Sequence, residues 1–174
     1  MNTNWRIELA DSGVVTFQSN TLEATQQLGA VLASSLQSGM LLKLSGTLGA
    51  GKTYLVQSIA ESLGVPRQHV VSPTFTLVQQ YECQPPLVHV DAYRINDEDQ
   101  YYELGIDEHF EGVAVVLIEW AERFGDLLPK ASLDVSIQVL DETKREIVLS
   151  CESGRPADLQ CLETIRSQLS SLDV

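Results

Sequence analysis

Basic residues are scarce in this chain. Eleven Lys+Arg stand against 24 Asp+Glu in 174 residues, a formal charge of −13. Binding a polyanion through counterion release requires several cations held together, whereas Lys43, Lys52, Lys130 and Lys144 are scattered. The balance excludes a nucleic-acid surface owned by this chain alone and suits a basic partner instead. Cysteine is also sparse. Cys83, Cys151 and Cys161 are odd in number and lack CxxC spacing, so they read as buried thiols in a reducing compartment rather than a disulfide framework. Long apolar runs are missing: the longest is Val113–Ile118, far below the roughly 18 residues that span a bilayer. The opening MNTNWRIELADS carries Arg6, Glu8 and Asp11 and no signal-type apolar stretch. A cytoplasmic protein without membrane contact is expected. His69, His89 and His109 lie too far apart for a local metal motif and read as packing or surface residues.

What is present is an ordinary globular mixture, 44% hydrophobic and 20% charged, without repeats or linker-like tracts. The length predicts one domain over residues 1–174 with a core large enough to need no staple. Val14–Gln18 reads as a short strand. Asn20, followed by Glu23, resembles a capping box opening a helix to about Gln37. Met40–Ser45 is an apolar strand, and a helix runs from Lys52 to Leu63, stopped by Gly64 and Pro66. Phe75–Tyr81 and Val88–Asp91 read as strands. Val113–Ile118 is a continuous apolar run of the kind buried on both faces. Leu133–Val139 and Ile147–Leu149 alternate as a hairpin with one wet face, and Ala157–Leu169 predicts a closing amphipathic helix. Strands alternating with helices point to an α/β fold with a mostly parallel central sheet flanked by helices, extended by the C-terminal antiparallel hairpin.

The chemistry is concentrated in Gly46-Thr47-Leu48-Gly49-Ala50-Gly51-Lys52-Thr53. This is G-x-x-x-x-G-K-[ST] between an apolar strand and an amphipathic helix, the context a phosphate-binding loop requires. A chain of this length matches the pattern by accident roughly once in 200 to 300 cases, and the flanking elements make accident rarer. The glycines open backbone angles that let successive amides point inward as an anion nest, spanning Gly46, Leu48, Gly49, Ala50 and Gly51. The helix beginning at Lys52 adds its unpaired amides and the positive end of its dipole. Lys52 supplies a charge for the β- and γ-phosphates of ATP, and the Thr53 hydroxyl is a ligand for Mg²⁺.

A Mg²⁺ site also needs carboxylates at the carboxyl ends of buried strands, beside the loop. Glu119 ends the most apolar strand and Asp91 ends Val88–His89–Val90. We read both as site carboxylates; the alternative for each is a solvated boundary residue or a helix cap. Ser72-Pro73-Thr74-Phe75 offers two hydroxyls on a proline-stiffened loop, open to a γ-phosphate switch or to plain turn chemistry. Trp120 reads as packing against the site. A GTPase would carry [NT]-K-x-D, which Thr143-Lys144-Arg145-Glu146 fails to match. A kinase would carry an arginine-bearing lid, and the seven arginines are dispersed. A binding module that never turns ATP over is the rival outside enzymes.

GTLGAGKT (46–53), SPTFTLV (72–78), HVDAYR (89–94) and EW (119–120) stand in this order and together resemble the TsaE (YjeE) family of ATPases of tRNA threonylcarbamoyladenosine biosynthesis. The resemblance implies a small bacterial cytoplasmic ATPase working with the TsaD–TsaB heterodimer, with tRNA reached only through those partners. It implies phosphate and Mg²⁺ binding by Lys52 and Thr53, Mg²⁺ ligation by Glu119 and a need for Asp91 in activity, which makes Lys52, Asp91 and Glu119 the expected catalytic residues; the loop hydroxyl of Thr74 is expected to report on the γ-phosphate. It also implies that Arg145 lies near the nucleotide and that Asn20 and Thr21 approach the base. Two positions depart from the family pattern: Thr47 stands where Asp is common, and Ala121 where Pro often follows the EW pair.

Overall fold

The computed structural model describes residues 5–9, 13–151 and 155–172. Among these residues eight strands form one sheet: β1 (Trp5–Leu9), β2 (Val14–Ser19), β3 (Leu41–Ser45), β4 (Val78–Tyr81), β5 (Leu87–Asp91), β6 (Val115–Glu119), β7 (Leu133–Val139) and β8 (Arg145–Ser150). Their order is β1-β2-β8-β7-β3-β6-β5-β4. The central β7-β3-β6-β5 block is parallel. Antiparallel strands extend both sides, β8, β2 and β1 on one and β4 on the other. Every residue of β5 and β6 is buried, as strands covered on both faces must be, whereas β7 alternates towards one solvated face.

Among the described residues, five α-helices cover the sheet. On one face lie α1 (Leu22–Ser35), α2 (Lys52–Ser62) and α5 (Pro156–Leu172), packed over Phe17, Leu42, Leu44, Leu117, Val135 and Leu149. On the other, α3 (Glu98–Glu103) and α4 (Asp107–Phe110), with the turns after β6, enclose Leu41, Val90, Val116, Ile118, Tyr101 and Phe124. Successive residues of β6 thus feed two cores, the period-2 consequence of a pleated strand.

The structure differs from the expected elements at several points. The cap of α1 is Thr21, not Asn20: its Oγ1 accepts from the Ala24 amide at 3.2 Å, and Thr21 is the residue with extended backbone at the helix entry. The helix also stops at Ser35. The strand proposed from Phe75 begins only at Val78, because residues after Pro73 turn, the Leu77 amide returns to the Pro73 carbonyl, and Leu77 sits at φ 64°. Trp5–Leu9 forms an unforeseen edge strand, with Trp5 stacked on Phe17 at 5.5 Å. The polar stretch after Asp91 contains α3, capped by Asp97 accepting from the Gln100 amide at 2.9 Å. Cys151 and Cys161 are buried as expected, and Cys83 is half-buried.

Gly29, an oddity in an otherwise regular helix, is the point where α1 meets α2. A Cβ there would stand 2.4 Å from the Ser58 Cβ. Gly29→Val is expected to destabilise the fold by about 3 kcal/mol, the upper end of overpacking costs, and thermal unfolding would show it as a melting temperature lowered by several degrees.

Candidate phosphate site

The carboxyl ends of β3, β6 and β5 lie side by side at one end of the sheet's parallel block, where Asp91 and Glu119 are register partners on adjacent strands. Between β3 and α2 the chain makes the glycine loop. Gly46 (φ 142°), Gly49 (φ 76°) and Gly51 (φ 112°) all occupy positive-φ backbone, closed to most side chains. A Cβ on Gly46 would also lie 2.4 Å from the Ile137 carbonyl oxygen. Gly51 caps α2 without any side-chain hydrogen bond, so the first-turn amides are left to the cavity in front of them.

That cavity, about 390 Å³, is lined by Leu48–Tyr54 together with Ser72, Thr74, Asp91, Tyr93, Glu119 and Trp120. It brings together most of the residues chosen from sequence. Lys52 is 4% exposed. Its Nζ donates to the Gly46 and Thr47 carbonyls at 2.6 and 3.1 Å and lies 3.6 Å from the Trp120 ring centre. Burial lowers the Lys52 pKa, and the charges of Glu119, Glu122 and Asp91 oppose that shift. The ammonium is therefore held by two carbonyls of its own loop and by the Trp120 face, with no carboxylate of the described residues in direct hydrogen-bond contact.

Behind Lys52, the Thr53 hydroxyl donates to Glu119 Oε2 at 2.9 Å, and His89 Nε2 stands 2.8 Å from Glu119 Oε1. Glu119 is 3% exposed and His89 is fully buried. Asp91 is engaged differently. Its Oδ2 accepts from Ser72 Oγ at 2.6 Å and Thr74 Oγ1 at 2.7 Å, and its Oδ1 accepts from the Tyr93 amide at 2.9 Å. The Ser72–Thr74 loop is thus latched to the end of β5. Trp120, at φ 60°, tilts against Tyr93 at 5.0 Å and walls the cavity, with its ring turned to Lys52.

A second cavity of about 530 Å³ shares Gly49, Ala50, Gly51 and Tyr54 with the first and is lined further by Asn20, Thr21, Arg145, Ile137 and Ile147. Arg145 Nε donates to the Ala50 carbonyl at 3.1 Å and its Nη1 to the Asp141 carbonyl at 2.9 Å. Asn20, Thr21 and Arg145 therefore flank the glycine loop. Gly46 lines neither cavity; it lies beneath the loop, where its carbonyl receives Lys52.

Among the described residues no group of three His, Cys, Asp or Glu is placed to hold a metal. Thr53 and Glu119 nevertheless offer two hard oxygen donors beside the phosphate nest. Such a donor set fits Mg²⁺, which is held by one or two carboxylates and completed by phosphate and water. His89, expected as a packing or surface residue, is a participant the sequence did not reveal, and the Ser72 hydroxyl, expected on the switch-like loop, has Asp91 as its partner. His89 lies two residues before Asp91, and that spacing on a strand puts both on one face.

Residues 19–147 match the family profile of the threonylcarbamoyl adenosine biosynthesis protein TsaE. The chain belongs to the TsaE family. Among its relatives, TsaE of Bacillus subtilis is 38% identical over 145 residues, covering 83% of this chain and 89% of that protein. TsaE of Treponema pallidum is 35% identical over 132 residues, covering 76% and 97%. The crystal structure of Bacillus subtilis YdiB superposes with a TM-score of 0.74 at 30% identity, covering 94% of this chain and 98% of that one. In this TsaE family member the glycine loop and both strand-end carboxylates stand at the carboxyl ends of the parallel strands.

Proposed function

We propose that this TsaE family member is a single-domain Mg²⁺-dependent ATP hydrolase serving threonylcarbamoyladenosine modification of tRNA in the cytoplasm, working with the TsaD–TsaB heterodimer. The observation that carries the reading is the buried Lys52 ammonium on the glycine loop, facing a Thr53–Glu119 pair at the start of α2. The loop amides and Lys52 hold the β- and γ-phosphates, while the neighbouring cavity at Asn20, Thr21 and Arg145 takes the nucleoside. Thr53 and Glu119 hold Mg²⁺, which when bound neutralises charge developing on the phosphate oxygens. The Thr74 hydroxyl exchanges Asp91 for the γ-phosphate. Asp91 Oδ2, released from that hydrogen bond, accepts one from the attacking water and orients it.

Two observations support a partner-dependent activity. No arginine lines the phosphate cavity among the described residues, and the charge of −13 suits partners that carry the tRNA. No described helix is long and apolar enough to cross a membrane. The test is phosphate release from ATP by the chain alone, then with TsaD–TsaB and tRNA. Slow release alone is expected, with acceleration on the order of 10³-fold where a partner supplies an arginine. Full-speed hydrolysis by the isolated chain would overturn the partner dependence. Tight ATP binding without phosphate release in any arm would make the protein a nucleotide-regulated binding module.

A further inference from the structure

We propose that His89 is a positioning residue, whose Nε2–H fixes the Glu119 carboxylate so that Oε2 is presented to Thr53 and the phosphate cavity. The inference rests on the magnesium-nucleotide reading above and goes beyond it, because His89 touches neither cavity. Its ring is fully buried on β5. One nitrogen lies 2.8 Å from Glu119 Oε1, while the other, Nδ1, is buried without any hydrogen-bond partner. A carboxylate oxygen only accepts, so the nitrogen facing it must carry the proton. An unpaired Nδ1 is better tolerated as a bare ring nitrogen than as a stranded N–H. The surroundings thus select the Nε2–H tautomer.

Packing alone does not explain this residue. Leu87, two residues before it on the same strand face, is an ordinary core aliphatic, and an aliphatic side chain at position 89 would pack there without the stranded Nδ1, but would leave the buried Glu119 Oε1 without its partner. Imidazole answers a need of Glu119 instead. Thr53 takes one carboxylate oxygen and His89 the other, so the group cannot swivel about its last torsion, which is otherwise soft. A ligand carboxylate held in this way binds its metal with fixed geometry, and loss of such an outer partner typically weakens metal affinity about 10–100-fold.

The test measures ADP affinity by titration calorimetry in EDTA and across a Mg²⁺ series, for the parent chain, His89→Leu and His89→Gln. The Nε2 of glutamine reaches the place of the imidazole Nε2. His89→Leu is expected to bind ADP in EDTA as the parent does, yet to need about 10–100-fold more Mg²⁺ to gain the same increase in affinity. His89→Gln is expected to recover most of that loss, which a role in packing would not predict. Nitrogen-15 NMR of the parent reads the tautomer directly and keeps the proposal testable should the leucine variant fold poorly. A proton on Nδ1, or unchanged Mg²⁺ dependence in His89→Leu, would overturn the proposal. If the parent's ADP affinity ignores Mg²⁺ altogether, the magnesium reading itself falls and this role falls with it.

Discussion

Lys52→Met is expected to lower ATP hydrolysis by about 10³-fold, comparable to the loss of a preorganised donor aimed at developing charge. Methionine keeps the length and apolar stem of the side chain, so the loss isolates the ammonium. The size of the effect follows from the setting. Lys52 is 4% exposed, and its hydrogen-bond acceptors are two loop carbonyls, so little water screens its attraction for a phosphate. The pH dependence has a definite sign. Burial holds the Lys52 pKa below its ordinary 10.5, so nucleotide affinity that relies on the ammonium fades as pH rises through that lowered value. For stability the sign is opposite. Between the lowered value and 10.5 the unfolded chain binds more protons at this residue than the folded one, so its contribution to stability rises with pH across that window. Lys52→Met should flatten both dependences. Phosphate-release assays and pH-dependent melting check the pair, and normal turnover in the variant would remove the site assignment.

The glycine loop was legible because its chemistry is local: eight consecutive residues specify the turn, the nest and the cation. Glu119 and Asp91 were legible for a related reason, since each polar residue terminates an apolar run. His89 was not, because a single histidine in an apolar strand has the same appearance whether it packs or donates. Only the β5–β6 register, which sets Asp91 beside Glu119, brings its ring to the carboxylate. The Ser72 hydroxyl was legible on its loop, but its partner was not, since Asp91 lies nineteen positions away. In the fold, the helices after Asp91 are six and four residues long, too short to show a 3.6 period. The Phe75–Tyr81 run opens on the strand formers Phe75 and Thr76, yet its first half is taken by the turn that delivers Thr74 to Asp91. Local preference yielded there to the placement of a hydroxyl.

Glu119→Gln separates charge from shape at the metal side. The amide fills the same volume, and its oxygen can still accept from His89, so the local scaffold is retained. What disappears is a full negative charge at a buried position, shared between Thr53 at 2.9 Å and His89 at 2.8 Å. A neutral amide oxygen is a weaker Mg²⁺ donor than a carboxylate. The variant is therefore expected to lose about 10²-fold or more in Mg²⁺-dependent hydrolysis, within the range that electrostatic groups of a site supply. A second consequence runs through Lys52. Glu119 is the largest of the three charges holding up the Lys52 pKa against burial. Without it that value falls further, so in EDTA the decline of ADP affinity with rising pH should begin at lower pH in Glu119→Gln than in the parent. Calorimetric ADP titrations over a pH series would show the displacement. Coincident curves for the two proteins would mean that Glu119 and Lys52 do not share one electrostatic site, and the assignment of Glu119 to the metal would then rest on its hydrogen bond to Thr53 alone.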